Sequence, residues 1–158
     1  MENAIAISYY LIKKGKEKKE AGETGEEVKL TPLKLQKLLY FAQGIYLKDN
    51  DDPLFDDPIK AMDYGPVVLS VYRYFKGKGY TNENLIDAVP DDEELNKKVG
   101  EIGDDYKTFL DSFYDAFSKH NSTKLVNVSH NHAIWQKAHR SFDNRMPIEK
   151  IKTYFRTI

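Results

Sequence analysis

The sequence predicts a single compact multi-helix domain, residues 1–158, that is mainly α and carries one small β element near residues 59–64. Three observations support this fold class. The length of 158 residues is typical of one domain that can bury an adequate core. Hydrophobic residues make up 41 % and charged residues 31 % of the chain, which is typical of globular proteins. Most apolar residues also recur with the 3.6-residue period of an amphipathic helix.

The first predicted helix runs from Ala4 to about Lys13, and a polar stretch follows it. This stretch is rich first in lysine and then in glutamate, and it holds three glycines between residues 15 and 25. Such a composition cannot offset the entropy lost on ordering, so we predict a mobile polar loop over residues 13–29. Its lysines resemble a phosphate-binding run, but the acids that follow offset their charge.

A second helix is predicted to begin at Thr31-Pro32, because threonine caps helix N-termini and proline is well tolerated at the first helical position. Its apolar residues recur on one face, which we assign to the core: Leu35, Leu38, Leu39, Ala42, Ile45 and Tyr46. Lys34, Lys37 and Gln43 lie off this stripe, so we expect a solvent-exposed side near the two lysines. Turn-forming residues from Asp49 to Pro53 end the helix.

Residues 59–64 alternate large and polar side chains, which favours a short strand or an extended segment. Gly65-Pro66 then suggests the start of a third helix, because Pro66 has the backbone angle of a first helical residue. This helix is predicted to run to about Lys76 and to end at Gly77. A side chain at Gly65 is expected to strain the turn and to clash with the rings of Tyr40 or Trp135.

The residue pattern after residue 80 predicts an acidic, exposed and irregular stretch, followed by further helices. Residues 80–103 form the stretch, with one short helix near residues 92–99. Aromatic and leucine side chains at helical spacing between residues 106 and 117 predict a helix that packs in the core. Three more helices are predicted after Asn121, from His130 to His139, and after Pro147, which brings the total to six or seven.

Residue types argue against catalysis and against a metal or cofactor site. The chain has no cysteine, which excludes disulfides, thiolate nucleophiles and cysteine-ligated zinc. Four histidines lie between residues 120 and 139, but His130 and His132 are two apart, and on a helix that spacing points them in different directions. We interpret His130 as hydrogen-bonding at a helix start, and His132 and His139 as surface residues. No Gly-x-Ser-x-Gly motif is present, and the paired carboxylates lie in turns. We therefore expect no enzyme activity.

The charge is balanced overall and uneven along the chain. The net charge is −1, so we expect no specific nucleic-acid binding. Residues 87–105 carry eight acids and two lysines, whereas the chain from residue 137 onward carries six bases and two acids. The apolar stretch near the N-terminus is too short to span a membrane and has no basic leader. We expect a cytoplasmic protein that does not bind membranes, and the sequence leaves its oligomeric state open.

Three ordered motifs resemble a known family. The first is Lys-Leu-Leu-Tyr-Phe-Ala-Gln-Gly at residues 37–44, the second is Pro-Leu-Phe at 53–55, and the third is Tyr-Gly-Pro-Val at 64–67. Leu125 to His130, followed by Trp135, is similar to the closing segment of the same family. Together they resemble the Panacea domain of SocA-type antitoxins, also labelled phage-associated proteins.

This resemblance implies a bacterial or prophage antitoxin that binds and neutralises a cognate toxin without catalysis. It also implies a protease or chaperone as a further partner, because some relatives act as proteolytic adaptors. The alternative is a DNA-binding regulator of its own operon. The predicted partner-binding residues are Lys34, Lys37, Tyr64, Gly65, Pro66 and Val67. The predicted structural residues of the motifs are Leu38, Leu39, Tyr40, His130 and Trp135.

Overall fold

The computed structural model describes residues 1–158 as nine α-helices and one two-stranded sheet, which confirms the mainly α fold class. The helices are α1 (Ala4–Glu20), α2 (Pro32–Asn50), α3 (Leu69–Gly77), α4 (Leu85–Ala88), α5 (Glu93–Gly100), α6 (Asp104–Phe117), α7 (Ser122–His130), α8 (Ala133–His139) and α9 (Ile148–Phe155). The strands are β1 (Ile59–Met62) and β2 (Gly65–Val68). One continuous cluster of 37 buried hydrophobic residues draws on both halves of the chain.

Helix α2 lies at the centre of the fold. Thr31 caps it by accepting a hydrogen bond from the backbone N–H of Lys34 at 3.2 Å, as predicted. The helix contacts β2, α7 and α9, and also α1, α3 and α6. Every residue from 34 to 44 is buried, so this stretch has no solvent-exposed side. At Gly44 the ring of Phe155 packs so closely that an added Cβ would lie 2.3 Å from it.

Helix α1 is longer than predicted, and the loop expected over residues 13–29 is wrong for residues 13–20. Those residues continue the helix to Glu20. Gly15 lies on the face that packs against α4, where an added Cβ would approach the Ile86 side chain to 2.2 Å. Lys16 donates hydrogen bonds of 2.7 and 2.6 Å to the carbonyl oxygens of Ile86 and Val89. Only residues 21–29 form a connection, which includes a 3₁₀ turn at Glu26–Val28.

The two strands form an antiparallel hairpin in which Ile59 pairs with Val68 and Met62 with Gly65. The predicted helix start at Pro66 is wrong, because Pro66 lies within β2 and α3 begins only at Leu69. Proline suits this position because it has no N–H to leave unpaired on the outer side of the strand. The β-branched residues that follow it also favour a strand.

The acidic stretch at residues 80–103 is less exposed than predicted. It contains two helices, α4 and α5, that both pack against α1. Leu85, Ile86 and Leu95 are buried there, whereas most of the acidic side chains remain exposed. The aromatic side chains of α6 join the core as predicted, with Phe113 and Phe117 stacked at 4.6 Å between ring centroids.

Both helices predicted between Asn121 and His139 are present as α7 and α8, but the second begins three residues later than predicted. His130 is the last residue of α7, and α8 begins at Ala133. The final helix, α9, follows Pro147 as predicted. None of the helices has the length and apolar character that crossing a membrane requires.

Candidate partner-binding surface

The turn of the β1–β2 hairpin is the most exposed part of the predicted binding motif. Asp63 and Tyr64 connect the strands, and Tyr64 is 71 % exposed. Met62, which precedes the turn, is 42 % exposed. Gly65 follows the turn and is buried, with a φ of 104°. The hairpin therefore displays large side chains on a backbone whose base lies inside the protein.

Gly65 occupies a position that only glycine tolerates well. Its positive φ is rarely adopted by residues with a side chain. An added Cβ would also lie 2.7 Å from Oγ of Ser129 and 2.9 Å from Cε of Lys37. The nearest atoms thus belong to Ser129 and Lys37 rather than to the predicted Tyr40 or Trp135, and the predicted structural need for glycine holds.

Helix α2 covers the outer edge of β2 with two polar side chains. The Gln36 amide accepts a hydrogen bond from the Val68 N–H at 2.7 Å and donates one to the Val68 carbonyl oxygen at 3.2 Å. Nζ of Lys37 donates to the Pro66 carbonyl oxygen at 2.8 Å. Because these backbone groups have partners within the protein, this edge is closed to a further strand.

Residues near the C-terminus hold the turn from the other side. Trp135 donates from Nε1 to the Met62 carbonyl oxygen at 3.1 Å, and Asn144 donates from its side-chain amide to the Ala61 carbonyl oxygen at 2.9 Å. Nε2 of His139 lies 2.9 Å from a carboxylate oxygen of Asp63. These contacts fix the turn before any partner arrives, which lowers the entropic cost of binding.

An open groove of about 440 Å³ lies beside the turn. Its lining includes residues of β1, β2, the turn, and the N-terminal ends of α2 and α3. Eight large hydrophobic residues of the protein are exposed, and four of them line this groove: Leu33, Met62, Tyr64 and Tyr72. Exposed apolar residues that cluster in this way indicate an interaction surface rather than scattered surface residues.

The prediction that Lys34 and Lys37 face solvent is wrong. Lys34 is only 2 % exposed and donates to the carbonyl oxygens of Glu26 and Ser118 at 2.8 and 2.7 Å. Lys37 has no exposed surface. Burial lowers the pKa of Lys34 and lowers that of Lys37 to about 7. Because neither ammonium group reaches the surface, both lysines support the fold from inside.

The other predicted partner-binding residues meet at the hairpin. Tyr64 and Val67 line the groove, whereas Gly65 and Pro66 are buried beneath it. A direct contact with a partner therefore remains a prediction for Tyr64 and Val67. Gly65 and Pro66 instead set the path of the backbone that presents these two side chains.

The predicted structural residues lie at the core around α2 and α8. Leu38, Leu39 and Tyr40 have no exposed surface. The Trp135 ring is stacked between two imidazoles, with centroid distances of 4.2 Å to His130 and 4.6 Å to His139. This arrangement ties the end of α7 to α8, directly behind the hairpin turn.

Two of the histidine predictions are wrong. His132 is 7 % exposed rather than on the surface, and its Nδ1 lies 2.8 Å from the Tyr40 hydroxyl oxygen. Burial lowers the pKa of His132 to about 4. His130 does not hydrogen-bond at a helix start, since it ends α7 and its buried Nε2 has no hydrogen-bond partner. No cluster of three or more His, Cys, Asp or Glu side chains in the protein could hold a metal ion.

The sequence pattern does not reveal that Gln36 and Gln43 of α2 bind buried backbone groups of other segments. Gln43 repeats the role of Gln36 one heptad later, because its amide pairs with the Leu54 N–H at 2.8 Å and with the Phe55 carbonyl oxygen. The seven-residue spacing places both amides on nearly the same side of the helix. An amide within an otherwise apolar helix signals a buried backbone partner, because buried polar groups are almost always hydrogen-bonded.

Comparisons with known proteins match one family and one curated relative. The family model described as "Antitoxin SocA-like, Panacea domain" matches residues 35–136, which include most of α2, the hairpin and the first four residues of α8. Antitoxin SocA of Caulobacter vibrioides (strain NA1000 / CB15N) is 43 % identical over 53 residues, which are 34 % of this chain and 28 % of that protein. The match thus spans less than a third of the relative's length. No solved structure gives a significant match.

Proposed function

The chain belongs to the family of SocA-like antitoxins with a Panacea domain, and we propose that it neutralises a cognate toxin by binding it directly. The proposal is one of binding without catalysis. The family membership supports an antitoxin role. The partner is then a toxin protein, and the surface that meets it is the groove beside the hairpin turn.

The observation that carries this proposal is the concentration of exposed apolar side chains at the fixed turn. Aromatic residues and methionine are enriched at protein interfaces. A few residues at the centre of an interface usually contribute most of the binding free energy. Tyr64 and Tyr72 are the aromatic residues exposed at this groove, and Met62 lies beside them. We expect these side chains to make the strongest contacts with the toxin.

The closed edge of β2 excludes one way in which a toxin could bind, namely as an added strand. A partner strand cannot add to β2, since Gln36 and Lys37 already bind the backbone groups that such a strand would need. Recognition would instead depend on side chains that enter the groove. A toxin helix or loop with two or three apolar side chains fits this requirement.

Growth rescue in cells tests the proposal. We expect the protein to rescue growth when it is expressed with the toxin encoded by the neighbouring gene, and the two proteins to co-purify. Tyr64→Asp and Leu33→Asp should abolish both results, because each places a charge in the apolar groove. Ile158→Asp is the matched control, since Ile158 is also exposed, at 58 %, but does not line the groove.

Two results would contradict the proposal. The first is a toxin that arrests growth equally with and without this protein. The second is full rescue by the Tyr64→Asp and Leu33→Asp variants when they fold normally.

The adaptor role, in which the protein delivers the toxin to a protease, differs from direct neutralisation in the fate of the toxin. The toxin would then disappear from rescued cells, whereas direct neutralisation leaves a stable complex.

A further inference from the structure

A second cleft lies between α8 and α9 and shares no lining residue with the groove beside the hairpin turn. Its volume is about 430 Å³. Three cations line it, namely Lys137 from α8, Lys150 from α9 and Arg145 from the connecting loop, against the single acid Asp143. The cleft is therefore a local site of positive charge on a protein whose net charge is −1.

The side chains of these three cations have no partner within the protein. None of the protein's salt bridges or side-chain hydrogen bonds uses the side chain of Lys137, Arg145 or Lys150. Lys152, two residues further along α9, shows the contrast because it lies 3.1 Å from both Asp51 and Glu149. The charge in the cleft is thus available to an anionic ligand, whereas the charge of Lys152 is already neutralised.

The cleft also has an apolar wall and extends along the helices. Ile134 contributes to the wall, and an adjoining hollow of about 350 Å³ continues past Tyr154. Ile134, Lys137 and Lys150 line both hollows. The two lysines therefore stand at the middle of one elongated cleft, with apolar surface between them.

We propose that this cleft binds an acidic peptide segment of another protein, in extended conformation, with carboxylates that alternate with apolar side chains. Alternate residues of an extended peptide point in opposite directions, so its apolar side chains can lie on the surface between Lys137 and Lys150 while its carboxylates reach the two ammonium groups. Helix α9, with eight residues, is about 12 Å long, which an extended segment of about four residues spans.

A peptide fits this cleft better than a nucleic acid. Nucleic acids are bound mainly through phosphates and need many cations on a broad surface. This cleft instead offers three cations, and the carboxylate of Asp143 and the side chain of Ile134 lie among them. Carboxylate side chains separated by aliphatic ones match that mixture. The inference does not depend on the proposed function, because the toxin groove lies elsewhere.

Fluorescence anisotropy with labelled hexapeptides tests this proposal on the full chain. The probe is fluorescein-labelled Glu-Leu-Glu-Leu-Glu-Leu, and the comparison peptide replaces each glutamate with glutamine. We expect the acidic peptide to bind at least about tenfold more tightly than the glutamine peptide and to weaken as salt is added. The Lys137→Glu/Lys150→Glu variant should bind it at least about tenfold more weakly.

Matched controls separate the cleft from general charge effects. Lys97→Glu/Lys119→Glu changes the net charge equally at two exposed lysines outside the cleft, and it should bind like the unaltered protein. Tyr64→Asp should also retain binding, because it alters only the toxin groove. Both double variants exchange exposed residues, and circular dichroism verifies that they fold.

Four outcomes would overturn the proposal. They are the absence of binding to the acidic peptide, equal binding of the glutamine peptide, equal loss in both double variants, and tighter binding of a labelled DNA duplex that requires Lys137 and Lys150. The last outcome would make the cleft a nucleic-acid contact.

Discussion

The ammonium group of Lys37 donates a 2.8 Å hydrogen bond to the carbonyl oxygen of Pro66, although the lysine has no exposed surface. No carboxylate compensates its charge, and burial alone lowers the pKa of Lys37 to about 7. The strand that forms one side of the groove beside the hairpin turn is therefore held by a group that is only partly protonated at neutral pH. Its protonation links the stability of the hairpin to pH.

The first prediction concerns this lysine. Its pKa is about 7 in the folded protein and 10.5 when it is unperturbed. Between these values the unfolded chain binds more protons than the folded one, so the free energy of unfolding rises with pH. We expect a gain of about 2 kcal/mol between about pH 7 and pH 9, measured by urea unfolding. Above about pH 10, ionisation of tyrosines in the unfolded chain opposes this gain.

Replacement of the lysine identifies the source of that gain. Lys37→Met should remove the rise between pH 7 and pH 9, while Lys97→Met, at an exposed site, should keep it. An unaltered protein whose stability is the same at both pH values would contradict the assignment.

The second prediction concerns His132 and acid. Burial lowers its pKa from 6.5 to about 4, so the unfolded chain takes up a proton before the folded protein does as the pH falls. The free energy of unfolding should therefore drop by about 2 kcal/mol between about pH 7 and pH 4.5 from this group. His132→Gln should remove this contribution, measured as the difference between the two urea-unfolding profiles.

Tyr40→Phe distinguishes burial from hydrogen bonding as the cause. It removes the hydroxyl partner of His132 but leaves the ring buried. We expect a lower stability at all pH values, by about 1 kcal/mol, with the acid-dependent loss retained. Disappearance of that loss in Tyr40→Phe would assign it to the hydrogen bond.

The third prediction concerns Gly65. An alanine there adopts an unfavourable φ and also approaches Ser129 and Lys37 within 3 Å. Gly79 has a similar φ of 92°, but an added Cβ would meet no atom within 4 Å. We expect Gly79→Ala to lower the free energy of unfolding by about 1 kcal/mol through backbone strain alone. Gly65→Ala should lower it by about 1–3 kcal/mol more. Thermal unfolding measures both, and equal losses would show that the close contacts relax without cost.

The fourth prediction concerns the Gln36 amide. Gln36→Glu keeps the size of the side chain but replaces its N–H donor with an oxygen that faces the Val68 carbonyl. We expect the free energy of unfolding to fall by about 2 kcal/mol at neutral pH. The buried Val68 carbonyl oxygen loses its donor, and the new carboxylate places a charge inside the protein. Gln136→Glu is the control, since Gln136 is exposed and also donates to a carbonyl oxygen. Unfolding midpoints that change equally in both variants would contradict the role of Gln36.

Periodicity predicted most helices but not which polar residues they bury. In α2 one apolar stripe was correctly assigned to the core. A stripe shows only one buried face, however, and a central helix is covered on every side, so Lys34 and Lys37 were placed in solvent. Their burial depends on carbonyl groups of Glu26, Ser118 and Pro66, which only the fold brings near.

Local signals at glycine and proline were the least reliable. The composition around Gly15 predicts a mobile loop, but this glycine allows α1 and α4 to pack closely. The local pattern at Pro66 predicts a helix start, but Pro66 lies in β2, at the edge that α2 covers. In both cases the residue serves a contact distant in sequence, which local pattern cannot reveal. Tyr64, by contrast, is predicted to contact a partner and is 71 % exposed, and the contact itself remains a prediction.

Both long edges of the small sheet are occupied within the protein. Gln36 and Lys37 bind one edge, and backbone hydrogen bonds join β1 to Asn144 and Met146 on the other, at 2.8 and 3.0 Å. Exposed strand edges are frequent starting points of aggregation, because a strand from another molecule can pair with them. The protein can thus expose an apolar groove next to a β-hairpin while giving neighbouring copies no strand on which to polymerise.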